Sequence, residues 1–124
     1  MPLVSVIMPT YRREDTLRRA IKSVLGQTYK NLELIVVNDN GDEGRFTPMV
    51  RDIVGSFSKI DGRVRLLEPS VHKNGAFARN RGVEASSGEL LAFLDDDDWW
   101  EPEKIARQVE AFASLSDEWG VVSC

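Results

Sequence analysis

Leu90-Leu91-Ala92-Phe93-Leu94-Asp95-Asp96-Asp97-Asp98-Trp99-Trp100 passes in one step from an apolar run to four carboxylates and then to two indoles. A short apolar run closed by polar residues predicts a buried strand. In an open α/β sheet such a strand delivers its last residues to the carboxyl edge, where ligands bind. If the chain stays extended past Leu94, alternation sets Asp95 and Asp97 on one side and Asp96 and Asp98 on the other. Like charges this close repel unless hydrogen-bond donors or a cation compensate, and a hard divalent ion with oxygen ligands is the simplest compensation. The same residues also suit a solvated acidic turn capping a helix that starts near Pro102, because acidic side chains favour helix N-termini. The stretch by itself leaves both open.

Outward from it, strands and helices alternate. Val4-Ser5-Val6-Ile7-Met8 is a β-branched run that Pro9 is expected to end. Leu17, Ala20, Ile21, Val24 and Leu25 fall on one face of a helix stopping at Gly26, and Leu32 to Val37 is a near-continuous apolar strand broken by Asn38-Asp39-Asn40-Gly41. Met49, Val50, Ile53, Val54 and Phe57 repeat at helical spacing, and Val64 to Leu67 reads as a short strand. A helix over Phe77 to Ala85, the strand at Leu90 to Leu94 and a helix from Pro102 with Ile105, Val109 and Phe112 on one face complete the series. Val121 to Cys124 reads as a further strand cut off as it begins, as in a truncated fragment. Such alternation implies a three-layer α/β sandwich around a mostly parallel sheet, with functional residues just after strands. Gly41 to Arg45 and Glu68 to Gly75 are the expected mobile loops.

With 124 residues, the chain is one domain or a piece of one. A net charge of −4 with scattered Lys and Arg argues against a nucleic-acid partner, which calls for a basic face, yet suits a nucleotide held through a metal. No stretch is apolar enough to span a bilayer and the N-terminus lacks a signal peptide, so a cytoplasmic location is expected. Cys124 is the only cysteine, which excludes an internal disulfide and reads as a core or edge thiol rather than a nucleophile.

Neither GxGxxG nor GxxxxGK[ST] occurs, so phosphates need some other holder. A cation clamped by aspartates serves, ligated by carboxylates on one side and by diphosphate oxygens on the other. Asp39 follows the second strand as Asp97 follows the fourth, and a parallel sheet brings both to one edge; Asp39 then accepts from a nucleotide or closes an Asx turn. Tyr11, after Pro9-Thr10, either stacks on a base or packs in the core. Arg79 and Arg81 cannot share a helix face, so one reaches the ligand edge and the other is solvated. His72 lacks a second ligand at metal spacing and reads as surface. Trp99 and Trp100 could stack on a sugar ring, with at least one packing under the acidic turn.

In order along the chain, Val4 to Tyr11, Ser23 to Tyr29, Leu34 to Asp39, Ala78 to Gly82 and Phe93 to Asp98 resemble the family-2 glycosyltransferases. The resemblance implies a GT-A (nucleotide-diphospho-sugar transferase-like) fold, a nucleotide-sugar donor with UDP as the family-level expectation, a glycan acceptor, Mn2+ or Mg2+, and inversion at the anomeric carbon. By position it implies that Pro9, Tyr11 and Asp39 border the nucleobase, Arg79 serves the base or diphosphate, Asp96 touches ribose, and Asp97 ligates the metal in a DxD motif that Asp95 opens. Asn38 departs from the family's commoner acidic pair. The family's catalytic base and QxxRW-like segment have no counterpart before Cys124, so residues 1–124 are expected to be the donor-binding portion of one domain, contacting a membrane only through a C-terminal part beyond it. Envelope polysaccharide assembly at the inner face of the cell membrane is the matching setting. A receiver-like signalling domain, a nucleotidyltransferase-like domain and a non-catalytic binding module are the alternatives; the first lacks its later-strand Lys and the second its Gly-rich loop.

Overall fold

The computed structural model describes residues 2–12, 15–40, 45–68, 75–115 and 121–123. Cys124, His72 and nearly all of the two expected mobile loops lie outside them. The described residues form β1 (Val4–Thr10), α1 (Leu17–Leu25), β2 (Leu32–Asn38), α2 (Phe46–Ser58), β3 (Val64–Leu67), α3 (Gly75–Ala85), β4 (Leu90–Phe93), α4 (Lys104–Leu115) and β5 (Val121–Ser123). All pairings are parallel, in the order β3-β2-β1-β4-β5. This is the expected alternation, and it places β1 at the centre.

Two apolar layers flank the sheet. On one face the even-numbered side chains Val4, Val6 and Met8 of β1 and Leu32, Leu34 and Val36 of β2 pack against α1, α2 and α4 through Leu17, Ile21, Val24, Val50, Ile53 and Ile105. On the other, Ile7, Ile35 and Val37 meet Ala78 and Val83 of α3. Strands buried on both faces must be apolar at nearly every position, which is why β1 and β2 show no polar alternation.

β2 runs to Asn38 and β4 stops at Phe93, each one residue from expectation, and three further boundaries differ. β1 runs through Pro9 to Thr10 instead of ending before the proline. In a parallel strand successive residues direct their main-chain groups to alternate neighbours. Asp39 N–H donates to Thr10 C=O on the β2 side and Leu94 N–H to Ile7 C=O on the β4 side, so Pro9 faces β4 beyond the point where β4 has ended. The missing N–H falls opposite Leu94 C=O, where the β1–β4 ladder ends. α3 begins at Gly75, earlier than expected, and α4 at Lys104, later than Pro102. The segment before α4 is instead held by Gln27, wholly buried, whose Nε2 donates to Glu101 C=O at 2.7 Å while its Oε1 accepts from Ile105 N–H at 2.9 Å. That second bond satisfies one of the orphan donors at the start of α4.

Opposite the carboxyl edge, Arg63 ties three segments, donating to Leu25 C=O at 3.2 Å, Lys30 C=O at 3.1 Å and the Asp61 carboxylate at 2.8 Å. The Arg63 hydrogen bond holds the Asp61 carboxyl below its ordinary range, a contribution to stability present at neutral pH and lost as pH falls through that lowered value. This edge is a clamp.

Helix α3 lies directly on the sheet at Gly82, where a Cβ would stand 2.4 Å from Ile7 Cγ2 and 3.3 Å from Val37 Cγ2. Gly55 in α2 has nothing within 4 Å of the equivalent position. Gly55→Ala is expected to stabilise the protein by about 0.5–1 kcal/mol through helix propensity. Gly82→Ala is expected to destabilise it, because overpacking of about 1–3 kcal/mol exceeds that gain. Urea unfolding of both variants checks the pair, and shifts of the same sign contradict the packing described.

Candidate functional site

The strand order turns back at β1: the chain steps outward to β2 and β3, then returns to place β4 on the other side of β1. The crevice outside the carboxyl ends of β1 and β4 is thus the topological switch point, where open α/β sheets bind ligands. The residues just after Thr10, Asn38 and Phe93 converge there.

Past Thr10 the β1 strand has lost its neighbours on both sides, yet its N–H groups remain paired. Tyr11 N–H, directed to the β4 side, donates to Asp96 Oδ2 at 3.1 Å. Arg12 N–H, directed to the β2 side, donates to Asn40 Oδ1 at 2.7 Å. Side chains from the two flanking loops thereby continue the ladder. Arg12 adopts φ 52°, a left-handed conformation that costs an L-residue about 1–2 kcal/mol and persists only where its surroundings impose it. Its guanidinium lies 5.0 Å from the centroid of the Tyr11 ring, a cation–π contact. Tyr11 is 37% exposed, so its ring borders the crevice and is not core.

After β2 the turn is built by neutral amides. Asn38 Oδ1 accepts from Asn40 N–H at 3.1 Å, closing an Asx turn, and from Asn40 Nδ2 at 2.7 Å, while Asn38 Nδ2 donates to Thr47 Oγ1 of α2 at 3.0 Å. All are buried. Asn38 thus takes a turn role of its own, and Asp39 N–H closes on Thr10. Asp39 itself is buried beside the base of the crevice.

After β4 the backbone does not stay extended. Asp98 N–H donates to Asp95 C=O at 3.1 Å, making a turn over Asp95 to Asp98, and this turn, not strand alternation, sorts the four carboxylates. Asp95, Asp97 and Asp98 are exposed, whereas Asp96 is only 8% exposed. The turn is pinned from α1: Thr16 Oγ1 donates to Asp96 C=O at 2.7 Å and Arg19 Nη2 to Asp97 C=O at 3.4 Å. Thr16 stands at the helix N-cap position without capping its own helix, its hydroxyl being used by the turn. Trp100 is buried in the larger apolar cluster and Trp99 is 48% exposed, so one indole packs and the other faces outward.

From α3, Arg79 Nη2 lies 3.7 Å from Asp95 Oδ1, with both side chains about half exposed or more. Such an ion pair is worth at most about 1 kcal/mol and exchanges readily for another anion. Arg81 pairs along its own helix with Glu84 at 3.2 Å, which makes Arg79 the arginine of the crevice and Arg81 the solvated one.

Asp95 and Asp97 suit a divalent cation by the chemistry of their oxygens. Among the described residues no three His, Cys, Asp or Glu side chains group closely enough to cage a metal. Exposed carboxylates without a closed cage fit Mg2+ or Mn2+, which take one or two carboxylates and complete their shell with water and phosphate.

The family model for "Glycosyl transferase family 2" matches residues 5–120. The chain belongs to glycosyl transferase family 2. It is 43% identical over 108 residues to UDP-Glc:alpha-D-GlcNAc-diphosphoundecaprenol beta-1,3-glucosyltransferase WfgD of Escherichia coli, covering 86% of this chain and 40% of WfgD. It is 38% identical over 99 residues to GalNAc(5)-diNAcBac-PP-undecaprenol beta-1,3-glucosyltransferase of Campylobacter jejuni, covering 79% of this chain and 30% of that protein. The chain thus spans well under half the length of the relatives it matches. Among solved structures, mannosyltransferase PcManGT from Pyrobaculum calidifontis in complex with GDP-Man and Mn2+ superimposes with a TM-score of 0.76 at 24% identity, over 88% of this chain and 32% of that one. Staphylococcus aureus TarS 1-349 in complex with UDP-GlcNAc gives 0.71 at 22% identity, over 90% and 31%. The fold is therefore GT-A, as the motifs implied, and the signalling and nucleotidyltransferase alternatives fall away. No described helix is long and apolar enough to cross a membrane.

The buried amide network, the strained Arg12 and the pinning by Thr16 and Arg19 were not expected from the sequence. Asn38-Asp39-Asn40 after a strand signals an Asx turn, but nothing local says that Asn40 reaches Arg12. Asn40→Ala leaves the Arg12 N–H without its acceptor and is expected to cost about 1–3 kcal/mol. Arg12→Gly is expected to change stability by less than about 1 kcal/mol, relief of the left-handed strain offsetting the greater freedom of glycine when unfolded. Thermal or urea unfolding distinguishes them, and a severe loss in Arg12→Gly contradicts the strain assignment.

Proposed function

We propose that the crevice between β1 and β4 binds the nucleotide of a nucleotide-diphosphate sugar, with a UDP-sugar the first expectation, as the donor site of an inverting glycosyl transfer. One observation carries this: Tyr11, Asp39, Arg79 and the Asp95–Asp98 turn, distant in sequence, meet at the carboxyl edge where the strand order reverses. The name of the Escherichia coli relative, which specifies UDP-Glc, and the GDP-Man and UDP-GlcNAc complexes of two structural neighbours support the same class of donor.

In this reading Tyr11 stacks on the base, Pro9 shapes the floor beneath it, and Asp39 accepts a hydrogen bond from the base. Asp96 borders the ribose. Arg79 exchanges Asp95 for the diphosphate, gaining a charge-assisted bond to a more anionic partner. Asp97, with Asp95 opening the DxD motif, holds Mn2+ or Mg2+. When bound, the cation supplies positive charge to the diphosphate that leaves the anomeric carbon. Transfer with inversion forms a bond from the acceptor oxygen to that carbon as the bond to the diphosphate breaks, and the acceptor's proton passes to a general base. No residue of the crevice is assigned that role. We therefore propose that residues 1–124 form the donor-binding portion of a single GT-A domain that binds nucleotide but turns over poorly by itself. The acceptor is proposed to be a glycan on a lipid diphosphate at the inner face of the membrane, the class that the names of the relatives specify.

Calorimetry with UDP tests the reading. Mn2+ is expected to tighten binding by roughly tenfold, about 1.4 kcal/mol. Asp97→Ala is expected to remove that increment while leaving the metal-free affinity close to wild type. Equal affinity with and without metal in the wild-type protein contradicts it.

A further inference from the structure

We propose that Asp96 is a positioning residue that mechanically joins the nucleobase platform to the metal-bearing turn, so that occupation of one favours occupation of the other. The inference rests on the donor-site reading and goes beyond the ribose contact assigned above.

Of the four consecutive aspartates only Asp96 turns into the protein. Burying a carboxylate is unfavourable unless it is paired or hydrogen-bonded. Its Oδ2 takes the Tyr11 N–H, at the position where β4 would have supplied a main-chain acceptor had the strand continued. Its backbone carbonyl oxygen takes the Thr16 hydroxyl, and Arg19 holds the carbonyl of Asp97 next to it. Together with the bond from Leu94 N–H to Ile7 C=O, these contacts attach one short turn to the end of β1 and to the start of α1.

The two things attached have different tasks. Tyr11 carries the exposed aromatic ring, and Asp95 and Asp97 carry the exposed carboxylates. Without the Asp96 side chain the Tyr11 N–H loses its acceptor, and ring and turn can move separately. With it, ordering the turn around a cation also orders the ring. A ligand that meets an already ordered partner site loses less conformational freedom on binding, which appears as positive coupling. Coupling is reciprocal, so the effect of metal on base affinity equals the effect of base on metal affinity.

Uridine isolates this effect because it has no phosphate with which to touch the metal. Nuclear magnetic resonance titrations of the 124-residue protein with uridine, with and without saturating Mg2+, are the test. In the wild-type protein Mg2+ is expected to tighten uridine binding by about fivefold, the low end of typical coupling. In Asp96→Ala the ratio of affinities with and without Mg2+ is expected to fall to one. Asp96→Asn, which keeps an oxygen acceptor for Tyr11 N–H, is expected to keep most of the coupling, and it serves as the deciding variant should Asp96→Ala unfold. A contact to ribose alone predicts weaker uridine binding with an unchanged ratio. That result, or a wild-type protein that binds UDP in a metal-dependent way yet shows no effect of Mg2+ on uridine, overturns the role of Asp96 and leaves the donor site standing. Failure of the wild-type protein to bind either UDP or uridine overturns both.

Discussion

The backbone of β1 outlasts its neighbours. Two residues beyond the paired part of the sheet, Tyr11 and Arg12, still have amide donors, and these find partly buried acceptors in the side chains of Asp96 and Asn40. A buried N–H without an acceptor costs about 1–3 kcal/mol, so these bonds dictate where the loops after β2 and β4 can go. Everything at the carboxyl edge follows from that requirement. Asn40 can reach Arg12 only because Asn38 folds the turn back on itself, and Asp96 can reach Tyr11 only because the turn at Asp95 rotates it inward. The remaining carboxylates are then left facing out.

The sorting of the four aspartates has an energetic logic. One charge is buried where a main-chain donor meets it, and three stay in water, where like charges are screened and inexpensive to hold close. Exposed carboxylate oxygens are hard donors, and a divalent cation that also takes phosphate oxygens needs only one or two of them. Arg79 is held only by a half-exposed ion pair to Asp95, of a kind that contributes at most about 1 kcal/mol. The amino edge, by contrast, is locked by Arg63 through three acceptors.

The strands and helices were legible because period and composition report burial directly: strands covered on both faces must be apolar throughout, as Leu32 to Val37 is, and helices covered on one face show it, as Leu17 to Leu25 does. Candidate residues were legible for the same reason, since strand ends in a parallel sheet share an edge, and Tyr11, Asp39, Asp95 and Asp96 each follow a strand. Helix geometry separated the faces of Arg79 and Arg81, and the ion pairs to Asp95 and Glu84 tell which faces the edge. What could not be read was everything that depends on which atom meets which. Pro9 looked like a terminator because its lack of a donor matters only on the side where a neighbour exists, and that side is a property of the sheet order. Asp96 looked like its three neighbours because a turn, not an alternating strand, selects it. The amides of Asn38 and Asn40 looked like generic turn residues because their acceptors and donors lie on β1 and α2.

The side-chain-extended end of β1 and the turn after β4 are proposed to make a single nucleotide-binding edge. Amide chemical shifts measured as UDP is added in the presence of Mg2+ address it residue by residue. The largest changes are expected on Tyr11, Arg12, Asp39, Arg79 and Asp95 to Asp97, with Leu32, Arg63 and Gly88 at the opposite edge unmoved. Changes concentrated at that opposite edge, or an unperturbed Tyr11 and Asp96 in a protein that binds UDP, would contradict it.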